Sequence, residues 1–284
     1  MMKNIKNLLV PIDFTEESVA GLKAANQFAT KFKSQVHVVH FLPYHPVVTP
    51  VYPGDASMIV NSAVQEQQME REKSHVLKKI KTEMDLYLSE GLRGRIYIVS
   101  DTLNSGMNDL LDDIEIDLII SGTSRDNNLL EKFSGNNTEK MIRKSGIPVL
   151  AISNYADINL NNVLIATDLS TELPGRLYDM CRLLENHGAT IHFVNVDTTQ
   201  LLNEADTLPK MTALVKSIGL RNYRIHIVSN KAEVNGILNI VDQIHPGLIL
   251  MKTYQKSNFW TFFEGSLAEK VIKETDVPVL VEQV

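Results

Sequence analysis

Short apolar runs and amphipathic stretches alternate along the first half of the chain. The apolar runs predict buried strands at 6–12, 35–41, 95–100, 117–121 and 147–152. The stretches between them predict helices at 15–33, 57–89, 105–113 and 136–144. Strands that alternate with helices indicate a parallel sheet with helices on both faces.

The second half repeats this pattern in a shorter form. Its predicted strands are at 163–167, 190–196, 223–228, 248–251 and 277–281. An apolar strand runs into Asp13 in one half and into Asp168 in the other, and Ile-Pro-Val-Leu at 147–150 returns as Val-Pro-Val-Leu at 277–280. A shorter region around 201–220 replaces the proline-rich loop and long helix of the first half. A repeat of this length indicates a duplicated domain.

The repeat divides the chain into two domains of ordinary size. We expect the first domain at 1–153, a short polar linker at 154–162 and the second domain at 163–284. Because the linker is brief, we expect the two domains to be closely apposed.

Composition narrows the class of protein. With 44% hydrophobic and 22% charged residues and a net charge of −6, the chain is typical of soluble globular proteins. It has no Lys/Arg-rich run, so we expect no nucleic-acid partner. The single cysteine, Cys181, cannot form an internal disulfide, and the chain shows neither a signal peptide nor an apolar run long enough to span a membrane. We therefore expect a cytoplasmic protein without a membrane partner.

The glycines sit where a phosphate site would need them, but not where a dinucleotide fold needs them. The first strand-to-helix turn, at 13–17, has no glycine, which disfavours the dinucleotide motif. Glycines instead follow the fourth strand, at Gly122 and at Gly135, where Ser-Gly-Asn-Asn-Thr opens a helix. Free backbone N–H groups and a favourable dipole at a helix start can bind a phosphate.

These features resemble the universal stress protein family in its tandem form, over essentially the whole chain. The resemblance rests on Pro11-Ile12-Asp13, the loop after the fourth strand and the Ile-Pro-Val-Leu strand. Members that bind ATP carry G-x2-G-x9-G-[ST] in that loop. The first domain has Gly122, Arg125, Gly135 and Asn136 at these positions, whereas the second has Lys252, Gln255, Gly265 and Ser266.

The resemblance implies a fold and an arrangement of the two domains. The expected α/β fold is Rossmann-like, with two tandem open five-stranded parallel sheets of strand order 3-2-1-4-5, each flanked by helices. The fifth strands, 147–152 and 277–281, would pair within the chain to form an intramolecular pseudo-dimer. Any further homodimer would use another surface.

The resemblance also implies a site at the carboxyl ends of the first and fourth strands, where Asp13 and Gly122 would meet. The implied first-domain contacts are Pro11, Asp13, Val38, His40, Val99, Ser121, Gly122, Thr123, Arg125, Gly135, Asn136, Asn137 and Thr138. The second-domain candidates are Asp168, Gly265 and Ser266.

Several of these residues also have a purely structural interpretation. Asp13 and Asp168 can cap helices, in competition with Thr15 or Ser18 in the first domain and Ser170 or Thr171 in the second. Gly265, like Gly135, can be an ordinary N-cap, and Arg125 either binds a phosphate or blocks the tight backbone path. His37 and His40 point to opposite faces of one strand, so they cannot bind one metal ion.

The leading hypothesis is therefore a tandem universal-stress-type protein that binds an adenine nucleotide, ATP with or without Mg²⁺, mainly through its first domain. Its role would be sensing or stress regulation, since no catalytic base or nucleophile stands beside the site. One alternative is a nucleotide-free interaction scaffold. Another is a weak ATPase in which Asp13 helps to hold a metal and orient water.

Overall fold

The computed structural model describes residues 4–42, 57–100, 110, 113–123, 146–153, 158–169, 173, 175–199, 204–253 and 266–283. Its strands are β1 Asn7–Pro11, β2 Gln35–Leu42, β3 Arg93–Ser100, β4 Leu118–Gly122, β5 Val149–Ile152, β6 Asn162–Ala166, β7 Thr190–Asp197, β8 Tyr223–Ser229, β9 Leu248–Thr253 and β10 Val279–Gln283. Its helices are α1 Glu16–Phe32, α2 Ser57–Tyr87, α3 Gly175–Asn186, α4 Glu204–Ile218, α5 Glu233–Ile244 and α6 Leu267–Glu274, with a 3-10 turn at Glu90–Leu92.

The strands form one ten-stranded sheet in the order β3-β2-β1-β4-β5-β10-β9-β6-β7-β8. Within each half all pairings are parallel, and each half has the predicted order 3-2-1-4-5. The fold-class prediction is confirmed. The two five-stranded sheets are continuous with each other.

The two halves join through their fifth strands, as the resemblance implied. Strands β5 and β10 pair antiparallel, with Val149 opposite Val281, Leu150 opposite Leu280 and Ala151 opposite Val279. All six side chains are buried, and the hydrophobic cluster on each face of the sheet contains residues from both halves. We call this pairing of β5 with β10 the seam. Apolar burial therefore stabilises the seam as it stabilises the interior of each half.

Helix α1 follows β1 closely and fixes the geometry of the turn between them. The Thr15 hydroxyl is the N-cap and accepts the Ser18 N–H at 3.2 Å, while Glu16 and Glu17 complement the helix dipole in the first turn. The helix ends at Lys33, whose left-handed backbone (φ 57°) returns its N–H to the Ala29 carbonyl.

The shortening of the second half lies where the sequence placed it. The first half has the 31-residue helix α2 between its second and third strands, whereas the second half has the 15-residue α4 there. The helices predicted at 105–113 and 136–144 fall almost entirely outside the described residues, which include only Leu110 and Asp113 from those ranges.

Candidate functional site

The centre of each half of the sheet is a topological switch point. Strands β1 and β4 are parallel neighbours, with Leu8 opposite Leu118. Their carboxyl ends therefore share one edge of the sheet, where ligands bind in open α/β folds. The structure brings five predicted site residues to this edge. Pro11 ends β1 and Asp13 follows it, while Ser121 and Gly122 end β4 and Thr123 follows them.

The turn after β1 has an unusual backbone that recurs in the second half. Phe14 adopts a left-handed conformation (φ 68°), and its counterpart Leu169 does the same (φ 59°). The Asp13 carboxylate accepts the Thr15 N–H at 3.1 Å and the Thr15 hydroxyl at 2.6 Å. Thr15 is therefore the helix cap, and Asp13 supports that cap while standing at the sheet edge.

His40 and two residues that the sequence did not single out lie beside this turn. The His40 Nδ1–H donates to the Ile12 carbonyl at 2.6 Å, and its ring centroid is 5.1 Å from that of Phe14. The Lys79 ammonium, from α2, lies 3.9 Å from the Phe14 ring centroid. Nothing local in the sequence marks Lys79, since its position depends on how α2 crosses the sheet.

Gly122 has a packing role that the motif interpretation did not anticipate. A methyl group at Gly122 would overlap the Glu17 carbonyl of α1, and one at Gly21 would come within 2.9 Å of the Gly122 nitrogen. The two glycines allow the backbones of α1 and β4 to touch. Gly122 is thus required for helix–strand packing, whatever it contributes to ligand binding.

Thr123 presents a buried polar group at the same edge. Its side chain is 4% exposed, and its N–H donates to the Ile152 carbonyl at 2.7 Å. Its hydroxyl has no hydrogen-bond partner among the residues that the structure describes. An unsatisfied buried hydroxyl is costly, so a ligand group that bonded to it would be favoured.

The other predicted contacts are less well placed or lie outside the description. Val38 is fully buried in mid-strand opposite Val10, and Val99, next to the carboxyl end of β3, packs on the other face of the sheet. Predicted contacts outside the described residues are Arg125, Gly135, Asn136, Asn137, Thr138 and Gly265.

The second half has the same backbone arrangement at its switch point, but different side chains interact there. Asn195 Nδ2–H donates to the Thr167 carbonyl at 2.8 Å, which reproduces the bond from His40 to Ile12. Asp168, the counterpart of Asp13, pairs with the Lys252 ammonium at 2.7 Å. Ser266 is the N-cap of α6 and accepts the Glu269 N–H at 3.1 Å.

A histidine near the start of the second strand of each half is held in its neutral form. His37 Nε2–H donates to the Asn7 side-chain oxygen at 3.4 Å, while its Nδ1 accepts the Arg95 backbone N–H at 3.0 Å. Burial, and then the Arg95 guanidinium, lowers the pKa of His37. Protonation at Nδ1 would remove the acceptor that Arg95 needs.

In the second half, the histidine at the corresponding position is hydrogen-bonded to a second histidine. His192 Nε2–H donates to Asn162 at 3.4 Å, and its Nδ1 accepts from His226 Nε2 at 3.0 Å. The planes of the two rings are nearly parallel, 13° apart. Burial is the main cause that lowers both pKa values, and the neighbouring His226 and Arg224 lower that of His192 further.

Lowering the pH from about 7.5 to about 5.5, across the ordinary histidine pKa of about 6.5, is expected to reduce the free energy of unfolding. The folded pKa values lie below the unfolded ones, so the unfolded chain binds more protons in this window and is favoured as pH falls. Urea denaturation at several pH values measures the slope.

The matched variant is His226→Tyr, because His226 occupies the register position of Tyr97 in the first half. It removes one titrating ring and should give a shallower slope than the parent chain. Comparison with the parent is needed because burial raises the pKa values of Glu233 and Glu282. Their protonation increases the free energy of unfolding as pH falls, which opposes the effect of the histidines. A slope equal to or steeper than the parent's would contradict the assignment.

The described residues offer little chemistry of other kinds. Burial raises the pKa of the Cys181 thiol to about 12, so this cysteine stays protonated and unreactive near neutral pH. No three His, Cys, Asp or Glu side chains in the described part converge to hold a metal ion. None of the described helices combines the length and apolarity needed to cross a bilayer.

This chain is similar in sequence and in fold to known universal stress proteins. The model of the universal stress protein family matches residues 4–153 and 159–282. Universal stress protein MJ0577 of Methanocaldococcus jannaschii is 27% identical over 155 residues, covering 52% of this chain and 94% of the relative.

Two solved structures show the same fold across the full chain. A universal stress protein from Archaeoglobus fulgidus superposes with a TM-score of 0.69 at 18% identity, covering 99% of both chains. Protein PA1789 from Pseudomonas aeruginosa gives a TM-score of 0.60 at 18% identity, covering 99% of this chain and 94% of that one. The chain therefore belongs to the universal stress protein family and carries its domain twice in tandem.

Proposed function

We propose that this chain binds an adenine nucleotide, ATP in particular, at the carboxyl edge of β1 and β4 in its first half. The observation that carries the proposal is the Thr123 hydroxyl, which is buried at that edge without a partner among the described residues. A ribose or phosphate oxygen would satisfy it. Asp13 stands across the same switch point on the neighbouring strand.

Charges near the edge suit a nucleotide that carries a metal ion or arrives without one. The Lys79 ammonium above Phe14 adds positive charge on the side of α2, which favours an anionic ligand. For bound Mg²⁺, Asp13 offers the carboxylate oxygen that this ion prefers. The metal would neutralise phosphate charge, and the described residues supply binding and orientation.

We further propose a sensing or stress-regulatory role in the cytoplasm. In the described part of the site, Asp13 Oδ1 supports the helix cap and His40 Nδ1–H donates to a backbone carbonyl, so both side chains have structural roles. Binding without turnover fits this arrangement better than hydrolysis. Release of inorganic phosphate faster than in buffer alone would favour the weak ATPase instead.

Isothermal titration with ATP is the direct test, and it should give about one site per chain. Only the first half keeps two of the three motif glycines, Gly122 and Gly135. Two equivalent sites would contradict the asymmetry. Absence of any binding, in protein shown by mass spectrometry to carry no nucleotide, would favour the interaction scaffold.

Gly135→Val and Gly265→Val form a matched pair for this titration. A branched side chain at Gly135 would obstruct the N–H groups expected at a helix start and should abolish binding, whereas the change at Gly265 should leave the affinity nearly unchanged. The reverse outcome would place the site in the second half.

A further inference from the structure

Strand register identifies Lys252 as the structural counterpart of Gly122. Leu118 lies opposite Leu8 in the first half, and Leu248 lies opposite Val163 at the same place in the second. Counting along β4 and β9 from these pairs brings Gly122 and Lys252 to the same position at the switch point. The glycine against which α1 packs is thus replaced by a lysine, which has a long aliphatic side chain and a positive charge.

The Lys252 side chain is folded inward. It is 6% exposed, and its ammonium lies 2.7 Å from Asp168 Oδ1, while Asp168 itself is 34% exposed. A buried ammonium requires a close anionic partner, because removing it from water is expensive. Asp168 is the counterpart of Asp13, the carboxylate proposed to face the nucleotide in the first half.

The helix that follows the first strand begins later in the second half than in the first. In the first half α1 begins at Glu16, and the Glu17 carbonyl fills the space above Gly122. In the second half α3 begins at Gly175, and Leu173 lies outside the helix. Helix α3 thus begins seven positions after Asp168, whereas α1 begins three positions after Asp13.

A second buried charge accompanies the lysine. Glu282 is paired in register with Lys252 on the adjacent strand, at the position held by Ile152 in the first half. It is 7% exposed and accepts the Leu177 N–H, in the first turn of α3, at 2.8 Å. Two neighbouring positions that are uncharged in one half are thus oppositely charged in the other.

We propose that Lys252 is an internal ligand of the second crevice, which is the site at the carboxyl ends of β6 and β9. Its ammonium occupies the place beside Asp168 that an external ligand would need. The second half is then a fixed partner that folds without a nucleotide, and the first half alone responds to one. Only the contrast between a first half that responds to a nucleotide and a second half that does not rests on the proposed function. The occupancy of the second crevice stands on the ion pair and its burial.

Chemical rescue of Lys252→Gly tests the proposal directly. The substitution deletes the side chain beyond Cα, and n-butylammonium restores the deleted carbon chain with its charge. The variant should melt several degrees below the parent chain. Millimolar n-butylammonium chloride should raise its melting temperature progressively, more than sodium chloride at equal ionic strength, and should not raise that of the parent.

The double variant Lys252→Gly/Asp168→Asn is the matched control, since it lacks the carboxylate that would hold the added cation. It should show no specific rescue. Equal rescue of the single and double variants, or none in either, would overturn the proposal. ATP titration of Lys252→Gly reports separately on the first half and should match the parent whether or not rescue occurs.

A second measurement applies if Lys252→Gly does not fold. Lys252→Met keeps the side-chain length and removes the charge, so it can be combined with Asp168→Asn in a double-mutant cycle. The double variant should lose less melting temperature than the two single losses added together. Additive losses would show that the pair is not coupled and would refute the internal ligand.

Discussion

Gly122→Ala is expected to lower the free energy of unfolding by about 3 kcal/mol, at the upper end of the range for overpacked cores. The added methyl group would overlap the Glu17 carbonyl of α1, and a helix backbone cannot rotate away as a side chain can. Urea denaturation monitored by circular dichroism measures the loss. The first half should also bind ATP more weakly, because the turn that holds Asp13 moves with α1.

Two glycines elsewhere serve as controls. A methyl group at Gly91 or at Gly175, the first residue of α3, would meet no atom within 4 Å. The corresponding alanine variants should therefore stay within about 0.5 kcal/mol of the parent chain. A Gly122→Ala chain as stable as these controls would show that α1 can move without cost.

Separating the halves between 153 and 158 is expected to yield fragments that reassociate when mixed and that aggregate alone. Each fragment would expose one strand of the seam, β5 or β10, with its unpaired backbone groups and its buried Val and Leu side chains. Size-exclusion chromatography with light scattering distinguishes these states.

The intact chain is the reference for this experiment and should remain soluble at the same concentration. Mixed fragments should elute at its position. Two stable, monomeric halves that do not associate when mixed would refute the view that the seam is part of one core.

The fold could be predicted because apolar runs and motif repeats are local properties of the sequence. The strand ends at Asp13 and Asp168 were visible, and the family resemblance supplied the pairing of β5 with β10. The reason for Gly122 was not visible, because the contact with Glu17 joins segments far apart in sequence.

The second crevice shows the same limit. Its lost glycines and the Lys252 that replaces one of them were evident, but the partner of that lysine was not. The pairing of Lys252 with Asp168 depends on the register of β9 against β6. Lys79 likewise reaches Phe14 only through the tertiary path of α2.

The antiparallel seam determines where the two crevices open. Strands β1 to β5 all run one way and β6 to β10 run the other, so the carboxyl ends of β4 and β9 lie on opposite borders of the sheet. A macromolecule docked over the first crevice would not touch the second unless it wrapped around the protein. Recognition of a nucleotide-loaded chain would therefore be one-sided, and the opposite border stays available for a different contact at the same time.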